Sequence, residues 1–269
     1  MATKGFVISR LPGFNPIAGL VFVGLYLPII ILVVYSFNAG RSVAGWEGFS
    51  LHWYTVAWEN DAVKAATVRS LYLAASAAVI STFLATLAAL GTTRRKAFGG
   101  QTFIYVMINQ PLMVPEVVSA VALLIFFAMI KQATGYAGMG YLIAAHSAFC
   151  IPFAYLPIRA RLEGMDMTLE TAASDLYASN WQAFRFVTLP LLLPGIFAGM
   201  MLAFVTSLDD VVITVFVKSA GQDTLPTYML GQMRRQLTPE INAIGTMVLG
   251  ASLFILLIAQ TLLRPRKGK

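Results

Sequence analysis

The chain has 12 acidic residues among 269, and three of them stand where water is scarce. Glu116 lies in the apolar run 103–130, and Asp209 and Asp210 lie in the run 191–216. A carboxylate at the centre of a membrane helix costs roughly 3 kcal/mol or more, so such groups face a bundle interior or a water-filled path. A buried salt bridge is the structural alternative, but neither run contains a Lys or Arg. Counted along helices from Thr102 and Leu191, Glu116 sits about 21 Å deep and Asp209 about 27 Å. Three carboxylates at one level without a cationic partner predict a cationic ligand. On one helix Asp209 and Asp210 would lie about 100° apart, so only one of the two points into a shared path.

Other reactive residue types are less informative. His52 and His146 each stand alone, with no second ligand at helical spacing, so no metal site is expected. Cys150 is the single cysteine and lies in an apolar run, which excludes a disulfide within the chain. No nucleophile, base and oxyanion set is recognisable, so this chain by itself is not expected to be an enzyme. No G-x-x-x-x-G-K-[ST] phosphate loop occurs, so any ATP and Mg²⁺ would be bound by another chain and no cofactor by this one.

The elements that must position the acids are membrane spans. The chain is 58% hydrophobic and 12% charged, far from the composition of a water-soluble domain. Apolar segments at 17–37, 68–90, 103–130, 141–158, 191–216 and 243–263 predict an all-α, polytopic membrane protein with six transmembrane helices. The first is longer than a signal-peptide core and predicts an uncleaved anchor. The third is long and contains Pro111 and Pro115, which predicts one kinked or tilted helix. Without a repeat or low-complexity linker, residues 1–269 read as a single transmembrane domain. The net charge of +7 reads as the cytoplasmic Lys/Arg bias of membrane proteins and not as a nucleic-acid footprint. With six spans, the side carrying Lys4, Arg10, Arg94, Arg95, Lys96 and the basic tail Arg264–Lys269 holds more Lys and Arg than the other. Both termini and the stretch 165–190 are therefore expected in the cytoplasm.

That stretch is unusually polar for its place between two spans. Leu169, Ala172, Ala173 and Leu176 recur at helical spacing, with Glu170, Ser174 and Asp175 opposite. Thr168 can cap the helix start, and Glu170 suits its positive end. A second short helix from Trp181 to Val187 is expected to stop before Leu189-Pro190. Thr171-Ala172-Ala173, Tyr177 and Val187-Thr188-Leu189-Pro190 resemble the cytoplasmic loop of bacterial ABC importer permeases, roughly E-A-A, G, I-x-L-P. Two positions depart: Thr171 stands at the usual Glu, with Glu170 one place earlier, and Tyr177 at the usual Gly. Glycine would permit a sharp break there, and tyrosine would not do so cheaply.

The resemblance implies the type I ABC importer permease fold with a coupling-helix loop. It also implies a bacterial inner-membrane location, a second homologous permease, two ATPase subunits and a periplasmic substrate-binding protein. Glu170, Thr171, Ala172, Ala173, Asp175, Tyr177, Leu189 and Pro190 would then couple to the ATPase. A narrower resemblance rests on Gln110–Glu116, Ser207–Val212, Leu225-Pro226 and Thr238–Ala243. These look like the second permease of spermidine/putrescine importers. That implies an amine substrate and places Glu116, Ser207, Asp209 and Asp210 on its path. The Trp53-Tyr54 pair also matches; these rings could hold an ammonium group by cation–π attraction or anchor the chain at the membrane interface. Three alternatives remain open. One is a permease for another small solute. Another is a secondary transporter using Glu116, Asp209 and Asp210 as ion sites, against which the lack of a repeat counts. The third is a membrane scaffold or enzyme subunit in which the acids are structural.

Overall fold

A computed structural model describes residues 14–41, 45–94, 98–235 and 238–263. The basic residues Lys4, Arg10, Arg95, Lys96, Arg264, Arg266, Lys267 and Lys269, on which the expected orientation rests, lie outside them. The described chain is helical, with a single isolated bridge between Asn38 and Phe49. The all-α, multi-span class expected from composition holds. In hydrocarbon every backbone group must find its partner within the segment, and a helix does that.

Two compact units divide the chain, one comprising the residues up to 61 and from 229 onward, the other 62–228. In the first, α1 (Phe14–Tyr35) and α2 (His52–Glu59) pack against α12 (Pro239–Leu263). Asn60 Nδ2 donates to Glu240 Oε1 at 2.9 Å, holding the end of α2 to the start of α12. The short α11 (Leu225–Arg235) runs across the unit boundary.

The second unit holds the carboxylates. Its helices are α3 (Asp61–Thr93), α4 (Gln101–Met113), α5 (Glu116–Thr134), α6 (Gly140–Glu163), α7 (Thr168–Asp175), α8 (Asn180–Ala183), α9 (Leu189–Asp209) and α10 (Val212–Val217). Its core joins α3, α6 and α9 through small residues and a few large ones. Ala85, Ala89, Ala154 and Ala203 are fully buried beside Tyr155, Ile158, Leu162 and Leu192. Small side chains matter because, within lipid, helices associate by close packing and not by escape from water. Gly195 and Gly199 set the closest approach. A Cβ on Gly199 would lie 2.6 Å from the Ala154 carbonyl oxygen, and one on Gly195 would lie 2.7 Å from Arg161 Cβ.

Five helical segments among the described residues are long and apolar enough to cross a membrane: Asn15–Tyr35, Asp61–Thr93, Glu116–Thr134, Gly140–Glu163 and Asn180–Asp209. α12 is a further helix of 25 residues. Three expectations change. The run 103–130 is two helices, not one kinked helix. Val114 (φ −101°, ψ 138°) and Pro115 (φ −53°, ψ 131°) are extended between them, because a residue preceding proline is driven out of the helical region. The run 191–216 also breaks, at Asp210 (φ −65°, ψ 131°). Conversely, the helix beginning at Asn180 does not stop before Leu189-Pro190. A π turn at Phe184–Thr188 carries it into α9, with Leu189 N–H bonded to the Phe184 carbonyl. The ladder shifts by one residue ahead of Pro190, whose missing N–H is tolerated in the first turn of α9.

Candidate functional site

The two helix breaks lie side by side, with α5 packed on α10. Glu116 is the first residue of α5, and its carboxyl lies within hydrogen-bond reach of the Asp210 carboxyl. Two ionised carboxylates so close repel, and a bound cation or shared proton relieves the repulsion.

Asp210 is not on a helix beside Asp209, as expected from the sequence; it forms the break. Asp210 is 7% exposed. Its Oδ1 accepts from Ile213 N at 3.2 Å, and its Oδ2 accepts from Thr214 N at 3.0 Å and Thr214 Oγ1 at 2.9 Å. It thus satisfies the free amides at the start of α10 while its charge faces the positive end of that helix. Asp209, the last residue of α9, is exposed.

His146 is not alone either. It is fully buried on α6, with Nε2 3.3 Å from Asp210 Oδ2 and 3.0 Å from Thr214 Oγ1, and Nδ1 2.8 Å from Ser207 Oγ. Thr214 donates its hydroxyl proton to Asp210, so Nε2 serves as a donor. No Lys or Arg shares a run with Asp210, but His146 reaches it from another helix. An ionisable residue inside an apolar span was itself a signal, by the same reasoning that singled out the acids. Ser207 is buried and belongs to this network.

Trp53 and Tyr54 lie in the other unit and are committed locally. Trp53 Nε1 donates to the Gly40 carbonyl at 3.2 Å. The Tyr54 hydroxyl meets Ser36 Oγ at 2.6 Å, and its ring packs on Phe37 at 5.2 Å. Both tie α2 to the chain that follows α1.

In the stretch 165–190, Thr168 does not cap α7. Asp166 Oδ1 accepts from Thr168 N at 2.9 Å instead, and that bond holds the Asp166 carboxyl below the usual aspartate range. Thr171 returns its hydroxyl to the Met167 carbonyl. Tyr177 takes the left-handed conformation of a glycine, with φ +60°. Ala178 N bonds to Ala173 O at 3.0 Å and Tyr177 N to Ser174 O at 2.9 Å, closing the end of α7. The sharp break therefore persists with tyrosine in place, at a cost of about 1–2 kcal/mol. Ser179 and Gln182 form a reciprocal cap that starts α8. The resulting surface is apolar: Tyr177 is 98% exposed, Leu176 81%, Phe186 69% and Trp181 65%. Ala172, Asp175 and Pro190 are exposed, and Ala173 and Leu189 are half-buried. Glu170 turns toward its own chain, 3.2 Å from Arg94 Nε and 2.9 Å from Thr188 Oγ1.

Residues 81–269 match the family described as the binding-protein-dependent transport system inner membrane component. The chain belongs to that family. This permease is 39% identical over 233 residues to the putrescine transport system permease protein PotI of Escherichia coli K12, covering 86% of this chain and 83% of that protein. It is 34% identical over 246 residues to the spermidine/putrescine transport system permease protein PotC of the same organism, covering 91% and 92%. The Haemophilus influenzae PotC is 36% identical over 250 residues, covering 93% and 96%. The permease also superposes on a crystal structure of a bacterial ABC transporter involved in the import of the acidic polysaccharide alginate. The TM-score is 0.76 over 94% of both chains at 16% identity, a likeness of fold alone. The importer-permease fold and the permease role expected from the sequence hold, and the relatives are transport subunits, not enzymes.

Proposed function

We propose that this permease forms half of the path for a polyamine such as putrescine or spermidine. It would work with a second homologous permease, two ATPase subunits that bind ATP and Mg²⁺, and a periplasmic binding protein. Its termini and residues 165–190 would face the cytoplasm. The observation that carries the reading is the meeting of Glu116 with Asp210 at two adjacent helix breaks, with Asp209 exposed beside them. The named relatives handle putrescine and spermidine, and alkyl ammonium groups stay cationic to about pH 10. Asp210 holds the break, while Glu116 and Asp209 offer charge to a passing amine. Broken helices suit this work because irregular backbone is tolerated at membrane depth only where protein or a cavity satisfies it. Thr171, Ala172, Ala173, Asp175, Tyr177, Leu189 and Pro190 would lie at the ATPase contact, where the exposed apolar surface around Tyr177 favours a protein partner.

The test is uptake of radiolabelled putrescine and spermidine by Glu116→Gln, Asp209→Asn and Asp210→Asn at matched membrane levels. Glu116→Gln and Asp209→Asn are expected to lose most uptake. Wild-type uptake by all three would end the cation-path reading.

A further inference from the structure

One carboxylate joins three elements at the end of the second unit where α3 stops and α9 starts. Glu170 Oε1, in the first turn of α7, lies 3.2 Å from Arg94 Nε and accepts from Thr188 Oγ1 at 2.9 Å. Arg94 directly follows α3, and Thr188 closes the π turn ahead of α9. All three are shielded: the Arg94 and Glu170 side chains are 16% and 22% exposed, and Thr188 is 5% exposed. Arg94 Nε and one terminal nitrogen are buried without a hydrogen-bond partner among the described residues. The nearby carboxylate is therefore the charge that compensates this guanidinium. Gln101 Nε2 donates to the Thr92 carbonyl at 2.6 Å, which adds the start of α4 to the same junction.

We propose that Glu170 is a positioning residue acting inside this chain. Through Arg94 and Thr188 it fastens α7 to the ends of α3 and α9, so that a displacement of α7 moves both helices together. The inference rests on the reading of residues 165–190 as the part driven by the ATPase, and it gives Glu170 a different partner from the exposed residues around it. A turn held only at its two chain ends would swing without carrying α3. An ion pair to Arg94 supplies the third point of attachment. The charge matters more than the hydrogen bond, because an amide at position 170 would still accept from Thr188 but would leave Arg94 uncompensated.

The experiment uses the full complex in proteoliposomes, with the binding protein, measuring putrescine imported per ATP hydrolysed. Hydrogen exchange over residues 168–175 is measured in the same samples. Glu170→Gln and Arg94→Gln are each expected to lower that ratio roughly tenfold, a size ordinary for coupling between sites. They should also speed exchange in α7, while the complex still assembles. The paired exchange Arg94→Glu with Glu170→Arg is expected to restore both, and Glu170→Asp to restore part. Defective single variants that the paired exchange does not rescue would overturn the proposal and place the partner of Glu170 on another chain. Wild-type ratios and exchange in both single variants would also overturn it. If wild-type complex imports neither putrescine nor spermidine, the substrate reading fails instead. The strut then stands or falls on the exchange of α7 and its rescue.

Discussion

The permease interrupts its helices in two regions and treats the two in opposite ways. At Asp210 the break is sealed. The unpaired amides of α10 bond to Asp210, the Thr214 hydroxyl bonds to the same carboxylate, and His146 and Ser207 close the network behind it. At Tyr177 the backbone is also closed within the chain, but the turn and the π turn beyond it lie at the surface, with a non-glycine residue in left-handed conformation and four large apolar side chains uncovered. The difference follows from the surroundings. A polar group left unpaired in a buried site costs about 1–3 kcal/mol. An exposed turn can take its missing partners from water or from a second protein. An interior break must therefore be paired from within its own unit, while an exterior one stays available for an interface.

The largest effect expected from breaking this contrast is at Asp210. Asp210→Ala removes the cap of α10 and the hydrogen-bond partner of His146 together, and each buried donor left unsatisfied costs about 1–3 kcal/mol. Loss of the protein from membranes, followed by immunoblot, is the expected result, whereas Asp209→Ala should leave its level unchanged. Nearly as large is Gly199→Leu on α9, the helix that connects both regions. Its first side-chain carbon would meet the Ala154 carbonyl at 2.6 Å. The α6–α9 pair must then separate, with an expected fall in melting temperature of the detergent-purified chain. Phe197→Leu, at an exposed position on the same helix, should change it little.

Intermediate effects come from His146. His146→Ala leaves Ser207 and Asp210 short of a partner, for about 1–3 kcal/mol. His146→Gln should recover part of it, because an amide can both donate and accept; thermal unfolding of the three proteins decides. On the exterior side the sign reverses. Tyr177→Gly relieves the left-handed strain and should stabilise the turn by about 1 kcal/mol, read as slower hydrogen exchange at Ala178 while amine uptake tests whether the ring serves the partner. The smallest effect belongs to Asp166. Its carboxyl titrates below the usual aspartate range because it accepts from Thr168 N. The contribution is therefore present above the ordinary aspartate pKa and is lost as pH falls through the lowered folded value. A spin label on α7 should become more mobile on acidification through that range, and Asp166→Asn should flatten the response.

Much of this was legible from the chain alone, and the particular failures share one cause. Periodicity and composition determined an all-helical, multi-span membrane protein, because a lipid environment leaves few ways to satisfy a backbone and long apolar runs admit only one of them. The same one-dimensional signals marked Glu116, Asp209 and Asp210, since an ionisable residue in hydrocarbon is conspicuous in any sequence. Where proline falls relative to a run was also visible, but its consequence was not. Pro115 breaks a helix and Pro190 does not, because a π turn upstream of Pro190 shifts the ladder before it arrives. Pairing across helices was out of reach for the same reason. His146 lies 64 positions before Asp210 in numbering, and Arg94 lies 76 before Glu170, yet each pair is in contact. Residue types and their spacing along the chain determined which groups needed partners. Only the packing of α6 on α9 and α10, and of α7 against the end of α3, decided which partners they received, because that choice depends on distances through space that no local pattern encodes.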